Sequence, residues 1–195
     1  MISQTGFVLT QQAIDYNFKP LIELWVITDN GAVKLNITGQ IPLFFIASSQ
    51  TKPMLTLLKQ QGINVAVKIL PLTNFNFEPI SCLYFKTIKE SRAAKAILRQ
   101  GDIVTYEDDF TLDQRYLMER FIRGGIEFKG VRKNQLQPTQ YDQVQVKTAD
   151  FSPKLRALSI DIECSQHGEL YSIGLHHQDY SKVIMIGEAQ DSHHY

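Results

Sequence analysis

Cysteine is nearly missing from this chain of 195 residues, and the two that occur, Cys82 and Cys164, lie far apart. Two thiols cannot make the disulfide framework of a small secreted domain, and their separation lacks the spacing of a zinc site. Both are expected to pack as small apolar side chains in a reducing compartment. Long hydrophobic runs are missing too, since no apolar stretch reaches the roughly 20 residues that a membrane-spanning helix needs. Met1-Ile-Ser-Gln-Thr has neither the basic start nor the apolar segment of a signal peptide. A cytoplasmic location away from membranes is therefore the expectation. There is no internal repeat and no low-complexity tract. Net charge is missing as well, because 20 basic residues balance 20 acidic ones.

What is present is enough apolar material for a real core: 44% of the residues are hydrophobic, and the length suits one domain or two small ones. The zero net charge hides an asymmetry. Residues 1–150 carry 17 basic and 14 acidic side chains, whereas 151–195 carry 3 and 6. All five histidines, His167, His176, His177, His193 and His194, fall in this acidic tail. Scattered beside a loop and a chain end, they read as surface residues rather than zinc ligands.

Residues 5–47 read as an antiparallel meander. Gly6-Phe-Val-Leu and Leu21-Ile-Glu-Leu-Trp-Val-Ile-Thr are followed by Asp29-Asn30-Gly31, which supplies the positive-φ residues of a hairpin turn. Pro42-Leu-Phe-Phe-Ile-Ala has the look of a buried strand. A helix is expected from about Thr51 to Gly62, with Pro53 in its first turn. Strands follow at 64–70 and 80–86, separated by a turn-rich loop that holds Phe75 and Phe77. A second helix, 89–100, gathers Lys89, Arg92, Lys95 and Arg99 on one side and sets Ala93, Ala94, Ile97 and Leu98 opposite. That stripe is either a solvated face or a set of phosphate contacts.

Thr111-Leu-Asp-Gln114 is a capping box that starts a third helix bearing Leu117, Met118, Phe121 and Ile122, which Gly124-Gly125 ends. The polar stretch 127–150 reads as a hairpin and linker. Antiparallel hairpins mixed with short helices make residues 1–150 an α+β domain, with a boundary near 150. Phe44, Phe45, Tyr84 and Phe85 on strands are either core residues or base-stacking platforms.

The most informative run is Leu158-Ser159-Ile160-Asp161-Ile162-Glu163. Side chains alternate across a strand, so Asp161 and Glu163 share one face while Leu158, Ile160 and Ile162 point the other way, into an expected core. Two carboxylates so placed can hold a hard divalent cation such as Mg²⁺, and a pair of such metals can stabilise both oxygens of an in-line phosphoryl displacement. The same pattern also occurs as two solvated charges on an open sheet face.

The stretch Leu158-Ser-Ile-Asp-Ile-Glu-Cys-Ser-Gln-His-Gly-Glu-Leu-Tyr-Ser-Ile-Gly-Leu175 resembles the first exonuclease motif of family B DNA polymerases. Val104-Thr-Tyr-Glu-Asp-Asp-Phe-Thr-Leu-Asp-Gln-Arg-Tyr-Leu-Met-Glu-Arg-Phe-Ile122 is similar to the segment these enzymes carry just before the exonuclease domain. Gly6-Phe-Val-Leu-Thr10 and Thr28-Asp-Asn-Gly31 match bacterial members, and the likeness runs in order from the first residues to about Ile186.

The resemblance implies an N-terminal domain with ferredoxin-like and OB-like parts over 1–150. The first strands of an RNase H-like 3′→5′ exonuclease domain would then occupy 151–195. It implies Asp161 and Glu163 as catalytic metal ligands of a two-Mg²⁺ site, primer–template DNA and its single-stranded 3′ end as partners, and deoxynucleoside triphosphates for the parent enzyme. It also implies a bacterial cytoplasmic location, at the nucleoid through DNA. Cys164 stands where many relatives have Thr. No Tyr-x-x-x-Asp occurs in the chain and the polymerase aspartates are missing, so the chain reads as an inactive N-terminal fragment of a larger polymerase, able to dimerise through unprotected strands. A binding module for single strands or a protein partner is the alternative. A self-standing metal nuclease is a third, and it lacks the carboxylates it needs.

Overall fold

The structure is a computed structural model, and it describes residues 3–133 and 138–187. It is dominated by mixed sheets with few helices, and it divides into two compact units, 1–153 and 154–195.

The first unit opens with an antiparallel meander of β1 (Gln4–Tyr16), β2 (Lys19–Thr28) and β3 (Gly31–Thr38). Alternation in β3 buries Val33, Leu35 and Ile37, which meet Ile22, Leu24 and Val26 of β2. The β2–β3 turn differs from expectation in one respect: positive φ falls on Gly31 alone, at 103°. Thr28 Oγ1 accepts from the Asn30 N–H and donates to the Gly31 carbonyl, so a side chain closes the turn and Asp29 and Asn30 keep negative φ.

The chain then leaves the meander. β4 (Leu43–Ala47) belongs to a different sheet, not to the meander into which the sequence pattern had placed it. Its partners lie further on, because α1 (Thr51–Gln60), β5 (Ala66–Thr73), β6 (Pro79–Tyr84), α2 (Ile88–Gln100) and the short β7 (Thr105–Tyr106) complete a β-α-β-β-α-β run. The sheet order is β5-β6-β4-β7, antiparallel throughout. Met54 and Leu58 of α1, and Ala94 and Leu98 of α2, cover its inner face over Phe44, Ile46, Leu83 and Phe85. Thr87 caps α2 by accepting from the Glu90 N–H.

α3 (Leu112–Met118) returns the chain to the meander. Thr111 N–H donates to Gln114 Oε1 at 3.0 Å, as the capping pattern requires. The helix is shorter than expected, however. Phe121 takes a φ of 53° and stays 82% exposed, Met118 is exposed too, and the buried contacts come from Tyr116 and Ile122. Gly124-Gly125 is not the helix stop but the entry to β8 (Gly125–Lys133). A Cβ on Gly125 would lie 2.3 Å from the Ala149 carbonyl oxygen, so only glycine lets the two chain segments pass there.

β8 and β9 (Thr139–Thr148) form a hairpin that closes a five-stranded barrel in the order β1-β2-β3-β9-β8. β9 runs parallel to β3, and β8 is antiparallel to β1. The expected polar linker is thus mostly barrel wall. Phe128 and Tyr141 meet edge to face at 5.3 Å inside it. On its outside Glu23 accepts from Lys34 Nζ at 2.7 Å and from Gln12 at 2.5 Å. Burial pushes the Glu23 carboxyl up, but the Lys34 and Gln12 hydrogen bonds and the Lys34 charge outweigh it and hold the group below its usual value.

The second unit is a three-stranded antiparallel sheet of β10 (Ser159–Cys164), β11 (Leu170–His177) and β12 (Tyr180–Met185), in that order.

Candidate functional sites

On β10 the expected alternation holds, and Asp161 and Glu163 share a face. Asp161 pairs with Gly174 and Glu163 with Ser172 across the β10–β11 ladder. A Cβ on Gly174 would stand 3.6 Å from the Asp161 Cβ, so the residue paired with this carboxylate adds no side chain to that face. Both acidic residues are exposed. The expected core beneath them is not there: Leu158, Ile160 and Ile162 are 52%, 58% and 57% exposed. The physical reason is that the described residues of this unit form a single sheet, and an apolar sheet face is buried only when a second layer packs on it.

The donor set suits a hard cation in kind but supplies only two side chains. Among the described residues no three His, Cys, Asp or Glu side chains converge on one point. His176 is exposed on β11, and His177 Nδ1 lies 2.5 Å from the Ala157 carbonyl oxygen. His193 and His194 lie outside the described residues. Of the two cysteines, Cys82 is buried, as expected, and burial pushes its thiol up. Cys164 is exposed, because among the described residues of its unit no second layer packs on β10.

The basic residues of α2 are divided by their partners. Lys95 Nζ lies 3.2 Å from Asp108 Oδ2 and donates to the Asp108 carbonyl at 2.9 Å, so it is tied into the fold. Lys89, Arg92 and Arg99 are exposed. Arg92 and Lys95 also line a crevice of about 580 Å³ between β1, α2 and the 108–115 segment, where Asp108, Asp109 and Asp113 offset their charge. The strand aromatics separate in the same way. Phe44 and Phe85 stack on each other in the core, with centroids 4.9 Å apart, so neither can receive a base.

The segment 104–122 gains a physical account from the structure. Arg115 donates to Glu107 Oε2 at 3.0 Å and to the Glu107 carbonyl at 3.2 Å, and its guanidinium lies 5.6 Å from the Phe45 ring centroid and 6.0 Å from that of Phe110. Glu107 itself has a φ of 52°, held by this fork. Asp108 accepts from Thr105 Oγ1 at 2.7 Å in addition to its Lys95 contacts. Arg120 stacks 3.8 Å above the Tyr116 ring. The motif thus joins the inserted sheet to the helix whose Tyr116, Leu112 and Leu117 pack on the barrel core.

Sequence reasoning passed over the β1–β2 turn. Asn17 and Phe18 both have positive φ, 49° and 59°, and the Asp15 carboxylate reaches the start of α2. The signal in the sequence is Asn17, a residue type that tolerates positive φ, between two strand patterns.

Comparison with known proteins places this architecture. No family model matches the chain. The fold is similar to that of the family B DNA polymerase from the hyperthermophilic archaeon Pyrobaculum calidifontis, with a TM-score of 0.69 and 18% identity over 94% of this chain and 27% of that one. In sequence the chain is 32% identical over 187 residues to DNA polymerase II of Escherichia coli (strain K12), a match covering 95% of this chain and 23% of that protein. The two findings support an N-terminal region of a family B DNA polymerase, resembling that of DNA polymerase II. The chain spans about a quarter of the length of these relatives.

Proposed function

We propose that this chain is the N-terminal part of a DNA-directed DNA polymerase that extends primer–template DNA and removes mispaired 3′ ends. In this reading Asp161 and Glu163 hold Mg²⁺ for 3′→5′ hydrolysis. The observation that carries it is their placement on one face of β10, open beside Gly174. Two carboxylates with water and a substrate phosphate suit the octahedral shell of Mg²⁺, which when bound would stabilise the charge that develops on the phosphate oxygens. The chain's own part is to present the two oxygens in fixed register. With only two ligands the coordination stays loose, so the chain alone is inactive.

Topology supports the finer assignment of the first unit. A closed five-stranded barrel in which strands three and five are parallel neighbours is the OB arrangement, and the β-α-β-β-α-β insert with an antiparallel sheet is ferredoxin-like. The second unit would be the opening strands of an RNase H-like sheet, completed by later parts of the polymerase and otherwise free to pair with a second copy. DNA would draw the enzyme to the nucleoid in the cytoplasm. A catalytically silent module that binds single strands is the second reading, favoured by the two-ligand count among the described residues.

The deciding experiment compares digestion of a labelled mispaired primer with its extension by the longer protein that carries this region. Asp161→Ala and Glu163→Ala should each abolish most digestion and leave synthesis largely intact. Equal loss of both activities would overturn the assigned role. Mg²⁺-dependent digestion by the 195-residue chain alone would overturn the inactivity of the fragment.

A further inference from the structure

We infer that the tip of the β1–β2 hairpin is a contact site for single-stranded nucleic acid, with Tyr16 and Phe18 as stacking surfaces and Lys19, Lys86 and Lys89 as phosphate contacts. The inference rests on the DNA-binding reading above and adds to it a place and a set of residues.

Three observations carry it. First, Tyr16 is 62% and Phe18 88% exposed, so neither aromatic serves the core. Second, the turn is built at a cost. Asn17 and Phe18 both sit in the left-handed region of a two-residue hairpin, where Asn-Gly is the preferred pair and a phenylalanine is rare. A bulky side chain kept in a conformation it disfavours, and pointed at water, gains nothing for stability.

Third, the tip is pinned beside cations. Asp15 Oδ1 accepts from the Ile88 N–H and Oδ2 from the Lys89 N–H, each at 2.9 Å. Lys86 and Lys89 therefore flank the point where the hairpin meets α2, and Lys19 pairs with Tyr16 in the β1–β2 ladder. All three lysines are exposed, and among the described residues none of them makes an ion pair. The nearby acids are engaged: both Asp15 oxygens hold α2, and Glu90 accepts from the Lys86 N–H.

Aromatic faces next to unpaired cations are what single strands bind, bases stacking while phosphates meet the lysines. By contrast, the β5–β6 hairpin also exposes Phe75 and Phe77, but Asn74 and Glu78 form its base, without lysines. In OB barrels generally, the loop between the first two strands is one that contacts oligonucleotides.

The test is fluorescence anisotropy of a labelled dT12 oligonucleotide with the intact 195-residue chain, from low to moderate salt, set beside thermal unfolding. Phe18→Gly is the informative variant, since glycine suits the backbone there: its melting temperature should be equal to or above that of the wild type, and its affinity about ten-fold weaker. Lys86→Gln with Lys89→Gln should flatten the log affinity against log salt slope by about 1.4. Unchanged affinity in Phe18→Gly, with wild-type binding intact, would refute the tip as the contact and leave the DNA reading standing. No binding by the wild type even at low salt would sink both.

Discussion

Replacing Arg115 tests a side chain that joins the inserted sheet, the 105–110 turn and α3. Its ion pair with Glu107 counts for little, because the Glu107 side chain is 52% exposed and water screens it. The remaining contacts are better shielded, since Arg115 itself is only 14% exposed. The hydrogen bond to the Glu107 carbonyl is worth about 1.5 kcal/mol with a charged donor, and each of the two aromatic contacts about 0.5–1 kcal/mol. Arg115→Ala should therefore cost about 3 kcal/mol and lower the melting temperature of the first unit by about 6–12 °C. Arg115→Lys keeps the charge but cannot fork between carboxylate and carbonyl, and should lose about half as much. The assay is urea unfolding followed by the fluorescence of Trp25 in the barrel wall, with Glu107→Ala as the second arm of a double-mutant cycle. A loss under about 0.5 kcal/mol for Arg115→Ala, or a Glu107→Ala cost equal to it, would refute the account, since the first contradicts the shielded contacts and the second the screened one.

Two further outcomes follow from the charges and from the second unit. The folded-state pKa of Glu23 is depressed, so its contribution to stability is present above the unfolded value of about 4.3 and is lost as pH falls through the folded value; Glu23→Gln should flatten the acid limb of the stability–pH curve, and an unchanged limb would exclude the Lys34 and Gln12 pairing as its source. Hydrogen exchange should find the amides of β10 and β12 unprotected within minutes while those of β2 persist for hours, because the residues flanking the former are exposed and those of β2 are buried; equal protection would contradict a one-layer sheet in a monomer.

Local chemistry was legible wherever a residue type had one use. The capping box at Thr111 and Gln114, Gly62 and Gly101 after their helices, and the shared face of Asp161 and Glu163 all follow from spacing. What failed was assignment of partners. Pro42 to Ala47 reads as a strand, but nothing in it says whether it pairs with the meander before it or with segments 33 to 61 residues ahead. Met118 and Phe121 have helical spacing and apolar side chains, yet Tyr116 took the buried place, because burial is decided by which face the barrel presents. Ile160 and Ile162 read as core in the sequence for the same reason: alternation shows that a face is apolar, not that a layer covers it. The charged stripe on α2 was likewise visible, while the removal of Lys95 from it by Asp108 depends on a turn that folds back from another element.

The two long-range ties of the first unit bear on the same point. Asp15 holds the barrel's first hairpin to the start of α2, and Arg115 holds the turn before α3 to Phe45 in β4. The insert enters the barrel after β3 and leaves it before β8, so covalent connection alone would let it swing about those two points. Bonds at the α2 N-terminus and at Arg115 remove that freedom at two further, separated places, and fixing a body at several points leaves it no axis to turn on. The hairpin tip therefore has a fixed position relative to Lys86 and Lys89 at the start of α2. A stacking surface can act together with phosphate contacts on one strand only if their spacing is constant, so Asp15→Asn, which weakens the charge-assisted bonds while removing no proposed contact, should lower dT12 affinity at the upper end of the salt range, where screening cancels the gain from one fewer negative charge beside the lysines. Full affinity in Asp15→Asn would show that the aromatic tip and the lysines act independently.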